Sequence, residues 1–173
     1  SKKAIEAYKN TSDKLSRYPE LTAESLQNAI ANKHNLNSDQ IICGTGSDEI
    51  LIFTVLAFCS PGDEVIHAQH GFEMYPIITK YAGAESVLAS EIDYKISINS
   101  IIENISDSTK IIFIANPNNP TSTYLNQDEL RLLMSKIPIN IVVVLDTAYA
   151  EFADANDYDK PFSLGNEYNN VII

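Results

Sequence analysis

Apolar residues in this chain gather into short continuous runs, and from Gln40 onward helix-spaced segments separate them. Residues 41–43, 64–68, 85–89, 110–115 and 140–145 read as strands, and 171–173 begin another. The run at 140–145 is Ile, Val and Leu after its first residue, the pattern of a strand covered on both faces. Between the strands, helices are predicted at 47–59, 72–81 and 97–105. The first of these is apolar nearly all round, so it is expected to be deeply buried. Gly83 is placed to close the second as a C-cap. A further helix follows Asn126, with Glu129 three residues on in the capping-box arrangement. Upstream, Ala4, Ile5, Tyr8 and Leu15 recur at near-helical spacing until Tyr18-Pro19 breaks the pattern, because the residue before proline avoids helical angles. Thr22 is then the expected N-cap of a second helix whose apolar face is Leu26, Ala29 and Ile30. Alternating strands and helices of these lengths predict an α/β fold, a mostly parallel sheet with helices on both faces.

Composition narrows the function more than the fold. The 173 residues suit one domain with a sizeable core, and the apolar share of 45% is ordinary. A formal net charge of -11 argues against nucleic acid, whose binders present basic patches. It leaves a local cationic site for a small substrate open. Cys43 and Cys59 lie in or beside apolar runs and read as buried free thiols, with no disulfide or zinc spacing. The longest apolar run, 50–59, is too short to span a bilayer. Residues 1–10 form a charged amphipathic segment, with no secretory apolar core. The reading is a soluble, cytoplasmic protein that does not engage membranes, with a trimmed or engineered start because no Met opens it.

Chemistry-bearing residues cluster where strands end. Gly44-Thr-Gly-Ser-Asp-Glu49, His70-Gly-Phe72, Asn116-Pro-Asn-Asn-Pro-Thr121 and Asp146-Thr-Ala-Tyr149 each follow a strand-like run. Ligands of open α/β sheets bind beyond the carboxyl ends of the strands. Glycines and free N–H groups around Ser47 and Asp48 suit a phosphate, although an ordinary turn with Ser47 as N-cap has the same pattern. Phe72 can stack on a flat ligand or serve as a core residue. His70 is a polar contact or a surface histidine. Asn119 can donate to a ring oxygen from a loop stiffened by two prolines, and a plain Asx/Pro turn is the alternative. Asp146 ends the most apolar strand, where a carboxylate needs a cation or good hydrogen bonds. A protonated pyridine nitrogen is one such partner, and capping a following helical turn is the other use. Tyr149, three residues on, can offer its hydroxyl nearby. Together these groups suit a phosphorylated aromatic cation such as pyridoxal phosphate. The different-class alternative is a non-catalytic α/β module for a phosphorylated ligand.

In this order, the motifs resemble those of the class I/II pyridoxal-phosphate aminotransferases of fold type I. Arg17-Tyr-Pro-Glu20, Gln69-His-Gly-Phe72 with Met74-Tyr-Pro76, and Leu145-Asp-Thr-Ala-Tyr-Ala-Glu-Phe152 look most like the histidinol-phosphate branch. The resemblance runs from about Arg17 to Phe152. It implies the large, cofactor-binding domain of the aspartate aminotransferase-like fold, amino acid and 2-oxo acid substrates, and a homodimer. It also implies that the backbone at Ser47 and Asp48 binds the cofactor phosphate and that Phe72 stacks on the pyridine ring. Asn119 and Tyr149 would bond the ring's phenolic oxygen, and Asp146 would pair with the ring nitrogen. Tyr18 would reach the partner's cofactor phosphate across the dimer. The reaction implied is amino transfer between histidinol phosphate and 2-oxoglutarate. An aromatic amino acid transaminase and a decarboxylase of the same fold are the nearest alternatives.

Two departures accompany the resemblance. Ser122 stands where the family usually has glycine, so a positive φ there would add strain. None of the ten lysines has the context of the family's Schiff-base lysine; Lys110 and Lys160 read as surface residues. That lysine is expected in a Ser-x-x-Lys segment beyond Ile173. Residues 1–173 are therefore expected to be a large domain shortened at both ends, without the small C-terminal domain and without activity of its own.

Overall fold

Five parallel strands form the central sheet, in the order Glu85–Ala89, Glu64–Ala68, Thr109–Ala115, Val142–Asp146 and Val171–Ile172. The computed structural model describes residues 1–158 and 161–173, so Lys160 lies outside the described residues. The chain divides into two compact units, Ser1–Cys43 and Gly44–Ile173.

In the first unit, α1 (Lys2–Thr11) is capped by Ser1, whose Oγ accepts the Ala4 N–H at 3.2 Å. No residue of α1 is buried. In α2 (Glu24–His34) the cap position is held by Ala23 at φ 51°, not by Thr22 as expected. The Glu20 carboxylate reaches the first turn instead and accepts the Ser25 N–H at 3.1 Å. Residues 41–43 correct another expectation. Ile41 is extended, but the segment joins no ladder among the described residues, and extended backbone is a strand only when a neighbour pairs with it.

The second unit opens with α3 (Ser47–Phe58), then β1 (Glu64–Ala68), α4 (Met74–Tyr81) and β2 (Glu85–Ala89). A short antiparallel ribbon follows, β3 (Glu91–Ile92) and β4 (Lys95–Ile96), and then α5 (Ile98–Glu103). The chain continues through β5 (Thr109–Ala115), α6 (Gln127–Met134), β6 (Val142–Asp146), α7 (Leu164–Glu167) and β7 (Val171–Ile172). Asn126 and Glu129 form the expected capping box on α6, and Gly83 takes φ 75° just past α4. The ribbon was not evident in the sequence. Its turn residues, Asp93 and Tyr94, both have positive φ without a glycine between them.

The alternation of strand side chains sorts the core into two layers. Ile111, Phe113, Val142 and Val144 face Leu51, Val55, Tyr75 and Ile78 of α3 and α4. Ile112, Ile114, Val143 and Leu145 face Ile101, Leu130 and Leu133 of α5 and α6. Helix α3 is less buried than its composition predicts: Leu51 and Val55 are packed, while Phe53, Leu56 and Phe58 are exposed. One helix side meets the sheet, and among the described residues of this unit nothing covers the other. Cys43 and Cys59 are half-buried rather than fully buried. Burial, aided by Asp63, pushes the Cys59 thiol up to about 11. Lys110 is partly covered, with Nζ 3.7 Å from Asp63.

Candidate active site

Strand register determines what meets at the carboxyl edge of the sheet. Ala115 of β5 lies beside Asp146 of β6, and the Asn116 N–H donates to the Asp146 carbonyl at 2.8 Å. Asp146 shares the alternation of Val142 and Val144, so its side chain emerges on the α3–α4 face. The residue directly beneath is Tyr75. Its hydroxyl donates to Asp146 Oδ2 at 2.9 Å, and its ring stacks on Phe113 with centroids 4.6 Å apart and planes 4° from parallel. Burial first, and then the Asp146 charge, hold the Tyr75 hydroxyl protonated well above the usual tyrosine range. It is therefore a permanent donor. Asp146 Oδ1 accepts the Ala148 N–H at 3.2 Å. The turn-capping role and an outward-facing role thus coexist, because a carboxylate offers about four acceptor sites and these bonds use two.

An open cavity of about 100 Å³ collects five of the seven expected residues: Ser47, Phe72, Asn119, Asp146 and Tyr149. Phe72 precedes α4 rather than beginning it, and meets Tyr75 edge-on at 5.7 Å. At Ser47 the expectation of an N-cap fails. The cap position is Gly46 at φ 92°, which has no side chain to accept from the first turn of α3. Among the described residues the first N–H groups of this apolar helix have no protein acceptor, the condition for binding an anion. Asp48 lies in this first turn but is not among the residues lining the cavity. Tyr18 belongs to the first unit and is fully exposed.

The three asparagines of the proline loop have separate tasks. Asn116 is buried and bonds Leu125 twice, donating from Nδ2 at 3.0 Å and accepting at Oδ1 at 2.7 Å. Asn118 Nδ2 donates to the His70 carbonyl at 2.9 Å and to Thr121 Oγ1 at 2.8 Å. Only Asn119 turns to the cavity, and among the described residues neither its amide nor the Tyr149 hydroxyl has a hydrogen-bond partner. The Asn116–Pro117 and Asn119–Pro120 bonds are both cis. Ser122 does take positive φ, 60°, with its N–H donating to the Asn118 carbonyl at 2.8 Å.

Residue-by-residue reading missed Tyr75. The signal available was its spacing of three from Phe72, which puts both on one side of the chain entering α4. His67 was also passed over. It is buried, its Nδ1 lies 3.0 Å from the Ala68 carbonyl, and its Nε2 has no partner among the described residues. A second cavity of about 360 Å³ shares Pro117, Asn119 and Tyr149 with the first and is walled by Tyr124 and Phe152. No lysine lines either cavity among the described residues. Among those residues, too, no cluster could hold a metal, and no helix is long and apolar enough to cross a membrane.

Comparison with known proteins gives this arrangement a context. The family model for aminotransferase class I and II matches residues 1–173. A histidinol-phosphate aminotransferase of Rhodopseudomonas palustris (strain HaA2) is 43% identical over 170 residues, 98% of this chain and 47% of that protein. One from Maricaulis maris (strain MCS10) is 43% identical over 173 residues, 100% of this chain and 48% of that protein. The chain thus spans about half the length of the curated relatives it matches. Among solved structures, the histidinol-phosphate aminotransferase of Sinorhizobium meliloti in complex with pyridoxal-5'-phosphate superposes with a TM-score of 0.90. Identity there is 20%, covering 96% of this chain and 45% of that one, so the likeness is one of fold.

Proposed function

This chain belongs to the aminotransferase class I and II family, and from that premise we propose that its protein is a pyridoxal-phosphate-dependent transaminase acting on histidinol phosphate and 2-oxoglutarate. The observation that carries the reading is the convergence of Ser47, Phe72, Asn119, Asp146 and Tyr149 on one cavity at the carboxyl edge of the sheet. The names of the relatives at 43% identity support the choice of amino donor.

The residues fit the cofactor on chemical grounds. The uncapped first turn of α3 offers N–H groups at Ser47 and Asp48 to a phosphate. Phe72 supplies an apolar face for a pyridine ring. Asn119 and Tyr149 hold donors for a ring oxygen, and Asp146 keeps acceptor capacity for a ring N–H. When bound, the cofactor supplies an electron sink for the charge that develops as the substrate loses its α-proton. Asp146 keeps the ring nitrogen protonated, and Tyr75 and Ala148 fix the carboxylate that does so. Among the described residues no lysine lines the cavity, and the resemblance puts the Schiff-base lysine in a Ser-x-x-Lys segment; on that resemblance we place the covalent anchor outside residues 1–173. Tyr18 is assigned to the partner's phosphate in a homodimer, and the enzyme to the cytoplasm.

The test is turnover by the natural full chain, following glutamate formed from 2-oxoglutarate. Histidinol phosphate is expected to be the better donor when compared with phenylalanine. A preference for phenylalanine would transfer the assignment to an aromatic transaminase. Absence of cofactor-dependent transfer from any amino donor would overturn the transaminase reading.

A further inference from the structure

Phe72 and Asn119 form two walls of the cavity, yet they come from different loops, after β1 and after β5. A third segment, the β3–β4 ribbon, ties these loops together. Glu91, its first residue, receives the His70 N–H at Oε1 (2.9 Å), and its Oε2 meets His70 Nδ1 at 2.7 Å. The Glu91 side chain is only 5% exposed while that of His70 is 49% exposed, so a buried carboxylate has His70 as its partner at both oxygens. From His70 the bonding continues across to the second loop, because its carbonyl accepts Asn118 Nδ2. The ribbon also holds that loop from its far end, where Thr123 Oγ1 donates to the Tyr94 carbonyl at 2.9 Å. The Tyr94 ring closes the circuit edge-on against His70 at 5.4 Å.

We infer that Glu91 and His70 form a positioning strut that sets the spacing of Phe72 and Asn119, and with it the width of the slot. His70 is two residues from Phe72, and Asn118 is adjacent to Asn119, so neither wall can shift without breaking a bond of the strut. Truncating Glu91 strands the His70 N–H and imidazole together, whereas glutamine of the same length can accept from the N–H and donate to Nδ1. The assignment of a slot for pyridoxal phosphate rests on the function proposed above; the strut itself does not.

The experiment compares the natural full chain with its Glu91→Ala and Glu91→Gln variants by two readouts. The first is amide hydrogen exchange at Asn118 and Ser122 without cofactor. The second is affinity for pyridoxal phosphate together with the circular dichroism induced in the bound cofactor. Glu91→Ala is expected to speed exchange at both amides and weaken cofactor affinity, each by about tenfold, as for loss of one hydrogen bond to a carboxylate. It should also reduce the induced dichroism, and Glu91→Gln should restore all three to within about threefold, since it keeps both contacts. Unchanged exchange in Glu91→Ala overturns the strut. So does a lower melting temperature with cofactor affinity and dichroism unchanged, which would make the contact merely structural. If the unaltered chain binds no pyridoxal phosphate, the cofactor reading fails, and the exchange rates still decide the strut.

Discussion

The Tyr75 hydroxyl and the Asp146 carboxylate meet at 2.9 Å although 71 residues separate them in sequence. The contact exists because Asp146 continues the Val142–Val144 side of β6, while α4 lays Tyr75 against Phe113 on the same face. A buried neutral donor thus holds one carboxylate oxygen, and the Ala148 N–H holds the other.

Removing that donor should weaken the fold without dismantling it. Tyr75→Phe keeps the stack on Phe113 and loses one hydrogen bond to a charged group, a cost of about 1.5–3 kcal/mol. Urea unfolding of the two proteins checks this. A change below about 0.5 kcal/mol would show that solvent replaces the hydroxyl.

Asp146→Asn separates the structural from the chemical role. The amide oxygen can still accept from Ala148 while its NH2 donates to the Tyr75 hydroxyl oxygen, so both contacts are kept and the melting temperature should change little. On the proposed function, pairing with a protonated ring nitrogen is lost, and kcat/KM of the natural full chain should fall by about ten- to a hundredfold, the worth of one charge-assisted hydrogen bond. Steady-state kinetics with saturating cofactor measures it.

Ser122 at φ 60° invites the opposite kind of change. A left-handed conformation costs an L-residue roughly 1–2 kcal/mol, less for small polar residues, and glycine escapes it at some cost in unfolded-state entropy. Ser122→Gly should therefore stabilise by about 0.5–1 kcal/mol in denaturant unfolding. Destabilisation would mean that the serine side chain contributes more than the backbone strain removes.

His67 makes stability depend on pH in a defined direction. Burial lowers its pKa, offset in part by the Ala68 carbonyl. The unfolded chain, with an ordinary histidine value of about 6.5, then binds the proton more readily than the fold does. Stability is fully present above that value and declines as pH falls below it. Unfolding at pH 7.5, 6.5 and 5.5 should show the loss, and His67→Leu should flatten it. An unchanged slope in the variant would assign the effect to another group.

Borohydride trapping with pyridoxal phosphate tests the location of the anchor. On the natural full chain, peptide mapping should put the stoichiometric label on a lysine outside residues 1–173. Stoichiometric labelling of one lysine within them would show that the cavity assigned here is not the reacting centre.

Much of this was legible along the chain because it depends on neighbours in sequence. The strand runs, the Asn126–Glu129 capping box and the loops at strand ends are local patterns, and local hydrogen bonds and side-chain alternation carry them into the structure. The motif order likewise pointed to the family, whose model matches residues 1–173. Burial of α3 and pairing of 41–43 were misjudged for one reason: composition shows which surfaces are apolar or extended, but not whether another element arrives to cover or pair them. Tertiary structure alone decided that Asn116 and Asn118 brace the loop while Asn119 faces the cavity. It also decided that Glu91 joins His70 and that Tyr75 supports Asp146. Those contacts span 21 and 71 residues, and only strand order and register bring such distant side chains within hydrogen-bonding reach.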